Sequence, residues 1–142
     1  MTAFADIADK FVELFEAAPA VCSQVFRARS REIAEQHSEA VNVYFEGADP
    51  NAGAITGAPV DWVSRIVVEC YGRTSTTTAD LAVDPLIGKV YAKLAADTTL
   101  GGLVDNVGVP TIDTEYNNLG QKTGWVRMTY PVEHRTSNAT VD

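Results

Sequence analysis

The segment 62–71 (WVSRIVVECY) carries the clearest secondary-structure signal in the chain. It is rich in β-branched and aromatic residues, which favour extended structure. Side chains alternate between the two faces of a strand, so the segment divides into two sets. Ile66, Val68 and Cys70 share one predicted face, and Val67, Glu69 and Tyr71 share the other.

The other periodic segments predict an α+β fold. Apolar spacing of three and four residues indicates helices at 3–18 and 79–96, and strands are expected at 40–45, 103–107, 111–116 and 124–135. The order favours two main helices packed on a mostly antiparallel sheet. The 142 residues suit a single domain, which we place at 1–136, followed by a flexible C-terminal tail at 137–142.

Both helices carry boundary signals. Thr2 is expected to cap the first helix, and Pro19 follows its end. In the second, Asp84 and Pro85 suit a cap and a first-turn proline. That region is therefore either one kinked helix or a short turn followed by the main helix.

Gly101 and Gly102 follow the second helix in the sequence TLGGLV. A phosphate-binding glycine loop normally precedes a helix, where backbone N–H groups meet the anion. Here the glycines fit a left-handed helix stop, with Leu100 and Leu103 folding back onto the helix. The sequence therefore predicts a hinge between helix and strand.

The segment 46–61 (EGADPNAGAITGAPVD) lacks a periodic pattern and is rich in Gly, Pro and Ala. Its length is unusual for a connection inside a compact domain, so we expect a projecting loop. Asp49 and Asn51 within it are candidate interface residues.

Three arginines alternate with small residues at Arg27, Arg29 and Arg31. In an extended chain they would lie on one side, and arginine suits anion or partner contacts. The alternative is a solvated basic strip that pairs with nearby glutamates.

Charge and motifs limit the function classes. The formal net charge of −8 disfavours tight nucleic-acid binding, which depends on an excess of Lys and Arg. The two cysteines have no metal-ligand spacing, so they are expected to be reduced and buried. The first residues include acidic side chains and no long apolar run, so the sequence predicts neither a signal peptide nor a membrane span there.

The sequence contains no GxxxxGK[ST], GxGxxG, HExxH or GxSxG motif, so it gives no reason to expect an enzyme, a metal or a cofactor. His37 and His134 lack a ligand set, and a surface imidazole is expected at His134. Asp113 and Glu115 would share a strand face and could form an acid–base pair, but a solvated edge is the favoured interpretation.

Several segments together resemble the tail-terminator (tail-completion) proteins of long-tailed bacteriophages. The similarity spans about 4–136 and is carried by VNVYFEG at 41–47, WVSRIVVECYGR at 62–73, DPLIGKVYAKLAADTTLGGLVDNV at 84–107 and GWVRMTYPVEHRT at 124–136. These are packing patterns without catalytic residues.

The resemblance implies a ring-forming subunit, expected as a hexamer, that caps the tail tube and halts its growth. Its partners would be other copies, the major tail tube protein and the head-side connector or neck protein, at the head-proximal end of a virion assembled in the host cytoplasm. An acidic lumen would let genomic DNA slide without specific binding. Trp62 and Trp125 join the arginine strip and the 46–61 segment as candidate interface residues, although either Trp could belong to the core.

Two alternatives stay open. A neighbouring neck component, such as a stopper or joining protein, would share the size, acidity and assembly role. A small ligand-binding domain or enzyme would require a buried pocket with convergent polar groups.

Overall fold

The computed structural model describes residues 1–28, 37–51, 57–117 and 122–142. Over these residues the chain forms one α+β domain with two helices and a six-stranded mixed sheet, which confirms the predicted class. The elements are α1 (Ala3–Glu16), β1 (Val25–Arg27), β2 (Glu39–Pro50), β3 (Val60–Thr74), α2 (Ala79–Ala95), β4 (Asn106–Val107), β5 (Thr111–Asn117) and β6 (Lys122–Thr136).

The sheet is built around the long pair β3 and β6. These strands run antiparallel in unbroken register from Val60 opposite Thr136 to Thr74 opposite Lys122. The order across the sheet is β1-β2-β3-β6-β4, and β5 also pairs with β6. Among the strands of the described residues, β1 and β2 pair in parallel and all other pairs are antiparallel, so the prediction of a mostly antiparallel sheet is confirmed.

Both helices pack on one face of the sheet, and the core lies between these two layers. Ile66, Val68 and Cys70 share this face, as their alternation predicts, and are fully buried there. Thr2 caps α1, as expected, by accepting a hydrogen bond from the Ala5 N–H. Phe11 of α1 is buried and meets Tyr130 of β6 edge to face at 5.8 Å.

Helix α2 begins directly on the sheet backbone at two facing glycines, Gly72 and Gly124. A Cβ at Gly72 would lie 2.6 Å from the Ala82 carbonyl oxygen. A Cβ at Gly124 would lie 2.6 Å from the Ala79 carbonyl oxygen. Since neither position has room for a side chain, the glycine pair sets how closely α2 approaches the sheet.

The prediction of a loop at 46–61 is wrong at both ends of this segment, where the structure has strands. Strand β2 continues to Pro50, β3 begins at Val60, and the Asn51 N–H donates to the Asp61 carbonyl at 2.7 Å. The β2–β3 register shifts between Phe45 and Gly47, and pairing resumes beyond the bulge. Cross-strand pairing thus overrides the turn-rich composition. Residues 52–56 lie outside the described part of the chain.

Helix α2 is continuous, so the alternative of a short turn followed by the main helix is wrong. Pro85 lies inside the helix, and Thr78, not Asp84, occupies the N-cap position. Proline costs an interior helix one hydrogen bond because it lacks an N–H. The packing of Val83, Leu86 and other buried residues against the sheet offsets that loss.

Gly101 and Gly102 have the predicted left-handed conformation, but they do not lie at the end of α2 as predicted. Gly101 and Gly102 have φ of 70° and 92°, as a left-handed turn requires. However, α2 already ends at Ala95 with a right-handed cap residue, Ala96, so the glycines do not stop the helix. Leu100 is buried, but Leu103 is 47% exposed and does not fold back. The next strand, β4, covers Asn106–Val107 and is therefore shorter than the predicted 103–107.

The two cysteines differ in how deeply they are buried. Cys70 is buried and Cys22 is half-buried, and both thiols are free. Burial raises the pKa of each thiol. Near the C-terminus, the Val141 carbonyl accepts a hydrogen bond of 2.7 Å from the Ala3 N–H. Among the helices of the described ranges, none is long and apolar enough to cross a membrane.

Candidate assembly surface

Strand β5 forms an exposed edge of the sheet. All seven of its residues are exposed, in contrast to the alternating burial of the neighbouring β6. It pairs with β6 on one side, and no other strand of the described ranges pairs with it. An edge of this kind presents backbone groups that another strand can use.

The side of β5 that faces the helices is apolar. Ile112 and Tyr116 lie opposite Met128 and Gly124, which places them on the helix side, and they are 49% and 43% exposed. Tyr91 of α2 and Val109, itself 76% exposed, line a groove beside the same edge. Apolar surface concentrated in this way is typical of contact sites.

The opposite side of β5 is acidic. Asp113 and Glu115 share this side and are exposed, as the interpretation of a solvated edge expects. Arg127 of β6 lies opposite Asp113 but forms an ion pair with Glu46 of β2, across the intervening β3. Asp113 makes no ion pair with any residue of the four described ranges.

A break separates β5 from the short strand β4 on the same side of β6. Val107 lies opposite Val132 and Thr111 opposite Thr129, so three residues of the edge span two of β6. The Gly108 N–H donates to the Pro131 carbonyl at 2.8 Å. In an antiparallel ladder the N–H and C=O of one residue face the same neighbour, so the proline lacks a donor at this break. The break limits the regular edge to β5.

The candidate arginine strip is described only at Arg27. This residue ends β1, and its Nε donates to Asp9 of α1 at 2.9 Å. The next residue, Ala28, has a φ of 55°, so the extended alternation expected after Arg27 does not continue through it. Arg29 and Arg31 lie outside the described residues.

Asp49, Asn51 and Trp62 come together near the end of the β2–β3 hairpin. Asp49 lies opposite Val63 in the register and accepts a 2.6 Å hydrogen bond from Arg65. Trp62 lies opposite Pro50 and is half-buried, because Phe4 of α1 packs edge-on at 5.4 Å and its indole N–H donates to Thr136 at 2.9 Å.

Trp125 is remote from this group. It lies on the face of β6 away from the helices, with its ring 4.7 Å from that of Tyr71. The described candidates therefore occupy three separate places and do not form one surface. Ile112 and Tyr116 were not identified from the sequence as contact residues, although their spacing of four on an alternating strand was a usable signal.

His134 is buried, so the expectation of a surface imidazole is wrong. It is 3% exposed because Phe4 packs edge-on over it at 5.5 Å. Its Nε2 shares a 2.6 Å hydrogen bond with the Ser64 hydroxyl, whereas its Nδ1 has no partner within the described residues. Loss of hydration lowers the pKa of His134, against a smaller opposing effect of Asp105.

The Ser64–His134 pair resembles half of a nucleophilic site, but its surroundings give it another role. Ser64 is fully buried, so a substrate could not reach its oxygen in this conformation. The pair therefore acts as an internal hydrogen bond beneath the start of α1. Elsewhere in the described segments, no three His, Cys, Asp or Glu residues are arranged to hold a metal ion.

No protein-family model matches the chain, and no curated protein matches its sequence.

Proposed function

We propose that this chain is a virion structural protein that caps the head-proximal end of a phage tail tube. In this role copies of the chain form a hexameric ring, stop polymerisation of the tube and present a surface for head joining. The proposal starts from the resemblance of 4–136 to tail-terminator proteins. The structural observation that carries it is the fully exposed edge strand β5.

An exposed edge of seven residues calls for a functional explanation, because free strand edges invite uncontrolled pairing between molecules. Soluble proteins usually limit this risk by covering, shortening or charging such strands. Here Asp113 and Glu115 supply charge, while Ile112 and Tyr116 retain apolar contact surface. This combination favours regulated association with a chosen partner.

The sheet topology also suits a ring. Strands β1 and β5 lie at opposite edges of the sheet. An interface through the β5 edge of one copy can therefore use a different surface of the next copy. Contacts between two different surfaces of identical subunits close into rings when the rotation allows it. A two-fold contact would instead stop at a dimer.

The net charge of −8 is compatible with a passage for DNA. Acidic side chains around a lumen repel phosphates, so that DNA would slide without sticking. This element of the proposal requires acidic groups at the lumen, and a ring with its carboxylates mainly on the outer rim would contradict it.

Electron microscopy of the purified protein mixed with assembled tail tubes tests the function. We expect rings alone or a density at one end of each tube, and tubes that stop growing when the protein is added. The double variant Asp113→Lys with Glu115→Lys is expected to cap fewer tubes. The matched control is Glu16→Lys with Asp84→Lys, which makes the same change in charge at two exposed carboxylates on the helices. A protein that ignores tubes but binds the head-side connector would support the neck-component alternative instead.

A further inference from the structure

We propose that β5 binds an extended segment of a partner polypeptide in which basic residues alternate with apolar ones. The segment adds to the sheet as a further strand beside β5. This inference deepens the proposed function and rests on it only in taking the β5 edge as the assembly surface.

The two sides of β5 specify the alternation. A strand added to the edge projects its side chains alternately toward the helix side and the opposite side. On the helix side they meet Ile112 and Tyr116, beside the groove lined by Tyr91 and Val109. On the opposite side they meet Asp113 and Glu115.

Charge favours arginine or lysine at the second set of positions. Asp113 makes no ion pair with the described residues, and Arg127, its neighbour on β6, is bound to Glu46. Opposite charges that face each other across neighbouring strands are stabilising, and like charges are destabilising. A cation added beside Asp113 would therefore meet a carboxylate that has no competing basic partner in the described ranges.

The same charges argue against pairing of β5 with β5 of a second copy. An antiparallel self-pair centred on Thr114 places Asp113 directly opposite Glu115, twice. A self-pair shifted by one residue in either direction about its centre places Asp113 opposite Asp113, or Glu115 opposite Glu115. These are the antiparallel registers that keep the two faces matched and pair at least five of the seven residues, and like charges face each other in each of them. The partner strand is therefore one of different sequence.

The edge also defines the length of the partner segment. Strand β5 offers seven residues, and the break at Gly108 ends regular pairing on the β4 side. The partner contributes about seven residues on this basis, at one residue per position of the ladder.

The test uses fluorescein-labelled synthetic peptides and measures binding by anisotropy. The probe is TVRVRVT, blocked at both ends, and the matched control is TVEVEVT. We expect the wild-type chain to bind the arginine peptide about tenfold more tightly than the glutamate peptide, from two favourable charge pairs exchanged for two unfavourable ones. The variant Asp113→Lys with Glu115→Lys is expected to reverse this preference.

Backbone pairing is tested with two further arginine peptides, N-methylated at alternate positions so that each loses one of the two rows of N–H donors. Strand addition predicts that one of them binds much more weakly than the other, because only one row faces β5. Equal binding of both N-methylated peptides, or no difference between the arginine and glutamate peptides, would overturn the proposal. A dimer that the double variant abolishes, without peptide binding, would do so as well.

The outcomes separate this inference from the proposed function. Tube capping without peptide selectivity would retain the function and remove the inference. Peptide selectivity without capping would retain β5 as a binding edge and remove the tail-terminator role.

Discussion

The helix-covered face of the sheet and its β5 edge differ in how the neighbouring strands β6 and β5 use their side chains. At Gly124, β6 has no side chain, so α2 can lie directly against the backbone of β6. Beside it, β5 keeps all of its side chains exposed, including Ile112 and Tyr116. The first region is built for close intramolecular packing, and the second retains contact surface that folding does not use.

This difference assigns separate purposes to the two regions. The domain is stabilised by buried side chains such as Phe11, Ile66 and Met128, whereas the side chains of β5 are all exposed. Substitutions in the first region are therefore expected to reduce stability, and substitutions in the second to change association.

Phe11→Ala is expected to lower the free energy of unfolding by about 3–5 kcal/mol, because it empties a fully buried site beneath α1. Ile112→Ala, on the exposed edge, is expected to cost less than about 1 kcal/mol. Urea denaturation of both variants measures the contrast. Equal losses would mean that β5 contributes to the core as strongly as α1 does.

Gly72→Ala is expected to lower the free energy of unfolding by about 1–3 kcal/mol, since the new Cβ would meet the backbone of Ala82. The matched control is Gly88→Ala in α2, where an added Cβ meets open space. There the same change is expected to stabilise the chain by about 0.5–1 kcal/mol through helix propensity. The opposite signs are measured by thermal or urea melts, and a neutral Gly72 variant would show that α2 shifts easily.

Acid is expected to weaken the region beneath α1 through His134. Burial lowers its pKa in the folded state, so the unfolded chain binds the proton more readily. This contribution to stability is complete above the ordinary pKa of 6.5 and is lost as pH falls from there through the folded-state value.

Urea melts between pH 7.5 and 5 measure this dependence. His134→Gln is expected to flatten it, whereas His37→Gln, at the other histidine, retains it. A wild-type stability that rises as the pH falls below 6.5, in a way that His134→Gln removes, would contradict the account.

Asp113→Lys with Glu115→Lys is expected to change the free energy of unfolding by less than about 0.5 kcal/mol, because both side chains are exposed. The same variant is expected to cap fewer tubes than the wild type. Melting curves and electron microscopy of one preparation give both values. A large loss of stability in this variant would show that the exposed side chains of β5 also contribute to folding, against the proposed separation.

The sequence predicts the fold well where periodicity is strong. The alternation of Ile66, Val68 and Cys70 and the cap at Thr2 are both confirmed. The end of β2 at 46–50 was missed because its Gly and Pro residues resemble a loop, whereas its extended structure depends on pairing with β3, which its own composition does not show. The burial of His134 was missed for a similar reason, since Phe4 covers it from α1.

The candidate site was harder to predict than the fold. Trp62 and Trp125 were chosen by residue type, yet their rings pack within the molecule against Phe4 and Tyr71. The exposure of Ile112 follows from the position of β5 at the sheet edge, which a single sequence does not encode locally. The role of Trp62 and Trp125 as interface residues stays a prediction.

The most direct test of the account is hydrogen–deuterium exchange of the chain alone and after it has capped tail tubes. We expect the backbone amides of 111–117 to exchange rapidly in the free protein and to gain strong protection in the capped tubes, whereas buried β3 is protected in both. Capped tubes in which 111–117 exchange as rapidly as in the free chain would contradict the claim that assembly proceeds through the β5 edge.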